Sequence, residues 1–212
     1  MNETDAAANV AVRVWAKPYR NYFLIVLFLV ASLLCMKFID IPFEHIDQTL
    51  EEVPLVIVLS ELGTAAGGRV GGTVLALGVI VLARKRWKQI GLTLVCGLAV
   101  QTATTDIIKH LAGRPRPRQL DDMLVFYGPG SDFHSFPSSH ASFAFMLATV
   151  AAAYYPRARW PAYAGAVIIA FGRVMLDAHF LSDVSVGALI GYLAACIFLR
   201  LWPPRQTATS VL

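Results

Sequence analysis

Charge and cysteine are both scarce in this chain, and each scarcity narrows what the protein is. Charged residues make up 15% of its 212 positions and hydrophobic ones 57%, where an ordinary soluble domain carries about a quarter charged. With a mean hydropathy of +0.59, a water-soluble globule is excluded and an integral membrane protein is expected. The 18 lysines and arginines outnumber the 14 acids, yet they gather at the ends of apolar segments and build no basic tail. Nucleic acid is therefore not an expected partner. Cys35, Cys96 and Cys196 are odd in number and scattered inside apolar runs. They give neither a disulfide framework nor a zinc spacing and read as small packing residues. No small-residue cleavage site closely follows Arg13, Lys17 and Arg20, and the apolar run 21–39 is too long for a signal-peptide core. An uncleaved first span is expected there.

What the chain has in abundance is apolar runs. Beyond 21–39 they lie at about 67–83, 90–108, 139–155, 161–176 and 184–202, each near the ~20 residues a helix needs to cross a bilayer. The expected fold is all-α: a polytopic bundle of six transmembrane helices over 21–203, with a cytoplasmic segment at 1–20 and a cytoplasmic tail at 204–212. Gly63, Gly67 and Gly68 interrupt the stretch from Val53 to Ala83, so a short interfacial helix at 54–61 is expected before the second span. With an even number of spans and the N-terminus inside, eleven of the 18 basic residues fall on the cytoplasmic side. These are Arg13, Lys17, Arg20, Arg84, Lys85, Arg86, Lys88, Arg157, Arg159, Arg200 and Arg205. Most of the others belong to three polar clusters described next, which places those clusters on the non-cytoplasmic face. Trp15, Trp87, Trp160 and Trp202 fall on the cytoplasmic face, as an aromatic belt would.

The clusters carry the chemistry. In the first, Lys109 and Arg116 are seven apart and would share a helix face if the helix continued. Gly113 and Pro115 argue instead that the third span ends near Leu111 and that the Gly-Arg-Pro-Arg-Pro stretch runs extended. Arginine forks onto two phosphate oxygens at once, and lysine adds a point charge. The same arginines, Arg114, Arg116 and Arg118, also fit an interfacial patch against lipid headgroups. In the second cluster, Pro137-Ser138-Ser139-His140 opens the fourth span, where amide groups of a first helical turn point at an anion. A serine N-cap beside an interfacial histidine fits those residues too. In the third, Arg173 precedes His179 and Asp183, which are four apart. In a helix the carboxylate would hold one ring nitrogen and leave the other free to attack. Asp183 as a plain N-cap of the last span is the alternative, and Asp177 is a second carboxylate that would compete for the orienting role.

Taken in order, Lys-x6-Arg-Pro, Pro-Ser-x-His and Arg-x5-His-x3-Asp resemble the tripartite signature of the type 2 phosphatidic acid phosphatase superfamily. The resemblance covers the six-span layout and the stretch from Lys109 to Asp183. It implies that His179 is the nucleophile and forms a phosphohistidine, that Asp183 orients it, and that His140 protonates the leaving alkoxide. It implies also that Lys109, Arg116, Ser138 and Arg173 hold the phosphoryl oxygens. The chain departs from the family pattern at Ser139, usually glycine, and at Gly172, usually serine. Ser139 either crowds the phosphate or adds a donor to it, and Gly172 either removes one hydrogen bond to the phosphoryl group or leaves that contact to Ser139. Arg114-Pro115 is a second Arg-Pro pair at the wrong spacing from Lys109, so Arg114 and Arg118 are assigned as candidate headgroup contacts.

The expected activity is hydrolysis of a phosphomonoester or diphosphate on a membrane lipid, at the outer face of a bacterial-type inner membrane. Undecaprenyl diphosphate, phosphatidylglycerol phosphate, phosphatidic acid and a lipid A phosphate are the substrates the family implies. A lipid phosphotransferase and a non-catalytic lipid-binding protein of the same fold are the alternatives. No cofactor or metal is expected, because Lys109, Arg116 and Arg173 supply the positive charge. Glu44, His45, Asp47 and Glu51 read as an amphipathic interfacial segment in preference to an ion site. Gly187 and Gly191 form a small-xxx-small pair, read as packing within the bundle with dimerisation as the alternative.

Overall fold

The computed structural model describes residues 18–40, 53–82, 86–119 and 125–204. The Glu44, His45, Asp47 and Glu51 set and most of both terminal segments lie outside the described residues. All regular structure among those described is helical: α1 (Pro18–Phe38), α2 (Pro54–Gly67), α3 (Arg69–Leu82), α4 (Trp87–Ala112), α5 (Ser139–Tyr154), α6 (Arg159–Val174) and α7 (Leu181–Leu201), with short 3-10 turns at Pro117–Gln119 and Pro156–Ala158. By length and composition α4 and α7 are able to cross a membrane, and α2 with α3 form a third candidate if taken together. α5 is shorter and equally apolar.

Local sequence sets the helix ends. Pro54 opens α2 at a position where a missing N–H is harmless. α4 stops where Gly113 turns left-handed (φ 61°) and returns its amide to the Lys109 carbonyl. A Cβ at Gly113 would also run into Ser131 and the backbone of Gly128.

α5 is the hub. It is apolar on every side, as a helix enclosed by others must be. One face packs Met146 and Val150 against Ile90 and Leu94 of α4 and Ala195 and Leu199 of α7. The other sets Ala144 and Ala148 against Ala166 and Ile169 of α6. α5 and α7 approach backbone to backbone, because Gly187 faces the carbonyl of Ser138 and Gly191 that of Ser142 so closely that a Cβ has no room at either. The small-xxx-small pair is thus occupied within the chain. Elsewhere Leu33, Leu55, Leu62, Val70, Val74 and Leu111 are exposed, which suits a lipid-facing exterior.

The α2–α3 pair corrects the expected short helix at 54–61. α2 continues to Gly67 and meets α3 at a bend of 68°. The glycines taken as interruptions are contact points. A Cβ on Gly63 would lie 3.1 Å from the Ile169 Cα, and one on Gly67 would lie 2.9 Å from the His140 ring. α2 therefore packs onto α6 and ends beside α5.

Candidate active site

The three clusters meet at one end of the bundle, where α4, α6 and α1 finish and α5 and α7 begin. At the other end the Gln89 side chain donates to the carbonyls of Trp202 and Pro203, at 3.1 and 2.6 Å. On the site side, Lys109 at the end of α4 donates from Nζ to the His134 carbonyl at 2.9 Å, leaving two of its three donors for another acceptor. Ser138 caps α5, with its Oγ accepting from the Ala141 amide at 3.4 Å, while its own amide donates to the Asp183 carbonyl at 3.0 Å. The start of α5 and the start of α7 are thereby tied together. Ser139 and His140 form the first turn of α5, and both are half-buried. Arg173 is buried in the last turn of α6 and donates from Nη1 to Thr64 Oγ1 of α2 at 2.9 Å. Arg116 is half-buried in the loop after α4, and Arg118 beyond it is exposed. His140 lies within electrostatic range of Arg173, His179, Lys109 and Arg116, so the three clusters share one field.

His179 lies in the turn that carries the chain from α6 to α7, and Phe180 is extended ahead of Leu181. The expected helical link between His179 and Asp183 is therefore made by a turn instead. His179 Nδ1 faces Asp183 Oδ2 at 3.6 Å, just outside hydrogen-bond length, the looser spacing common before a substrate binds. Burial holds the His179 imidazole below the ordinary histidine range, against the opposing pull of Asp183. Asp183 also performs the plain capping role, since its Oδ2 accepts the Phe180 amide at 3.0 Å. Asp177 does not displace it: its Oδ1 is buried without a hydrogen-bond partner, and its backbone is left-handed with φ 47°.

Arg114 corrects its assignment as a headgroup contact. It is fully buried, with Nη1 on Asp183 Oδ1 at 2.5 Å and Nη2 on Asp40 Oδ2 at 2.9 Å. Its guanidinium lies 4.0 Å from the centre of the Phe180 ring. The left-handed Gly113 before it and Pro115 after it set the backbone that aims it inward, and Arg116 is followed by proline as well, so spacing alone did not separate the two. Gly172 has a packing explanation as well. A Cβ there would lie 2.9 Å from the Ser60 Cα, so α2 closes the position to a larger side chain.

Four contributors escaped the sequence reading. Asp40, Thr64, Ser135 and Ser182 supply partners to Arg114, Arg173 and Asp183; Ser135 Oγ donates to Asp183 Oδ2 at 2.5 Å. Asp40 had a legible signal, a lone acid directly after the first apolar run. Serine and threonine near motif residues carry none.

Known proteins share the fold and part of the sequence. A crystal structure of a transmembrane PAP2 type phosphatidylglycerolphosphate phosphatase from Bacillus subtilis superposes with a TM-score of 0.57 over 88% of this chain and 100% of the other, at 20% identity. That likeness is one of fold. A lipid A 1-phosphatase of Rhizobium johnstonii is 33% identical over 103 residues, 45% of this chain and 42% of the relative. An undecaprenyl-diphosphatase of Sulfolobus acidocaldarius is 26% identical over 113 residues, 53% of this chain and 55% of the relative. The match thus spans about half the length of these relatives, or less. The family model for the PAP2 superfamily matches residues 90–207, which hold every residue of the three clusters, and the chain belongs to that superfamily.

Proposed function

We propose that the protein is a lipid phosphate phosphatase that removes phosphate from a membrane lipid through a phosphohistidine at His179. The observation that carries this reading is the turn that sets His179 Nδ1 against Asp183, with His140, Lys109, Arg116 and Arg173 around the same point. Asp183 fixes the ring, and the other nitrogen attacks phosphorus in line with the leaving oxygen. His140 gives its proton to that oxygen as the ester bond breaks, then takes one from the water that hydrolyses the phosphohistidine. Lys109, Arg116 and Arg173 balance the phosphoryl charge, and the first turn of α5 with Ser138 and Ser139 offers further donors. On this reading the reaction needs no metal, and Arg118 meets the headgroup. The bundle holds six spans, the α2–α3 pair counted as one, with the site on the outer face of a bacterial-type inner membrane.

A lipid A type phosphate is the first substrate to test, because lipid A 1-phosphatases recur among the relatives. The assay is phosphate release by detergent-solubilised protein from lipid A, phosphatidic acid, phosphatidylglycerol phosphate and undecaprenyl diphosphate, with and without chelator. His179→Ala is expected to abolish release, and chelator to leave it unchanged. Full turnover by His179→Ala overturns the nucleophile, and loss on chelation overturns the metal-free scheme. Label recovered on an acceptor lipid in place of free phosphate would make the protein a transferase.

A further inference from the structure

Asp40 stands outside the three clusters, just past the end of α1, yet it is 2% exposed, and it contacts Arg114 and Ser182 beside the site. Its Oδ1 accepts the Ser182 amide at 3.0 Å, and its Oδ2 accepts the Ser182 hydroxyl at 2.5 Å and Arg114 Nη2 at 2.9 Å. The Cys35 thiol lies 3.9 Å from Oδ1. Arg114 Nη1 in turn donates to Ser182 Oγ at 2.8 Å and to Asp183 Oδ1. The guanidinium is thus stretched between two carboxylates, one per terminal nitrogen, and Ser182 bridges Asp40 and Arg114. Asp183 keeps Oδ1 for Arg114 and Oδ2 for the side facing His179.

We propose that Asp40 is a positioning residue for the reaction, acting through Arg114 and Ser182 to hold the Asp183 carboxylate edge-on to His179. An arginine fork grips a carboxylate best with both nitrogens at once. With Asp40 holding Nη2, Asp183 receives one nitrogen, and its second oxygen stays turned toward the imidazole. Without that hold, the fork closes on both oxygens of Asp183 and draws Oδ2 away from His179. Asp40 and the helix before it lie ahead of residue 90, outside the stretch that matches the family model, so this support comes from a part of the chain that the motifs do not reach.

The inference rests on the phosphatase reading with His179 as nucleophile, and the test keeps the two apart. Asp40→Asn, Asp183→Asn, their double variant and His179→Ala are assayed on whichever lipid of the four-member panel the parent chain turns over fastest, with thermal unfolding in detergent followed alongside. Asp40→Asn is expected to lower kcat by roughly ten- to a hundredfold, the scale of a small misplacement at a reacting group, with KM within about twofold because Lys109, Arg116 and Arg173 are untouched. In the Asp183→Asn background the same change is expected to lower kcat by less than about twofold, since the group it positions is already lost. Ser182→Ala removes the bridging hydroxyl without unpairing a charge; it carries the same kcat-only expectation at about threefold and decides the matter if Asp40→Asn does not fold. An unchanged kcat, or an equal loss with and without the Asp183 carboxylate, overturns the proposal. Activity in His179→Ala overturns the reading of His179 as the nucleophile instead.

Discussion

At the scale of the residue, His179 has two influences acting on its proton. Enclosure strips hydration from an imidazolium and lowers the pKa, Asp183 raises it, and enclosure is the larger effect. In the proposed mechanism the neutral ring is the nucleophile, so protonation as pH falls through the shifted pKa would switch it off. Because that pKa lies below the ordinary value of about 6.5, the ring stays neutral at a mildly acidic pH where a free imidazole is already charged. A histidine-selective NMR titration in micelles, with the resonance identified by its loss in His179→Gln, is expected to find a midpoint under about 6.5. A midpoint above it contradicts the dominance of burial. The titrating residue was legible in the sequence from its spacing to Asp183, but its setting was not. The sequence cannot show that Phe180 is extended, so that the pair meets across a turn, or that Arg114 and not Arg116 turns inward to hold the carboxylate. Two arginines two positions apart, each followed by proline, are equivalent until packing chooses one.

Among the elements, the pairing of α5 with α7 does most to hold the site in shape. The carbonyls of Ser138 and Ser142 rest against Gly187 and Gly191, so the first turn of α5 and the start of α7 are held as one piece. Gly191→Ala forces a methyl group against the Ser142 carbonyl and is expected to cost about 1–3 kcal/mol, read as a lower thermal midpoint in detergent. Gly165→Ala on α6 meets open space and is expected to leave the midpoint unchanged or slightly raised; equal losses in both would show that close approach is not the cause. The apolar runs told where the helices are, because burial in lipid or in a bundle demands unbroken hydrophobic stretches. They misplaced the end of α2, because glycine reads as a breaker when the alternative is close contact. Gly63 is there for the backbone of α6, and Gly67 for the rings and methyls beside it.

For the whole molecule, the arrangement predicts which end faces which compartment. Arg118 is exposed next to the site and Arg157 is exposed in the turn after α5, at the opposite end of that helix. With basic residues biased to the cytoplasm, a cysteine at 118 is expected to react with an impermeant maleimide in intact cells and one at 157 only after lysis. The reverse pattern would invert the bundle. Chain order gives the buried arginine a consequence of another kind. Asp40 precedes Arg114 by 74 residues, and Asp183 follows it by 69. During synthesis the guanidinium emerges with one of these counter-ions already made and the other not yet translated. A lone charge among apolar helices is expensive, and of these two carboxylates only that of the first helix is present to relieve it until the last helix arrives. The end of α1 is thus a provisional partner for a buried charge that α7 later completes.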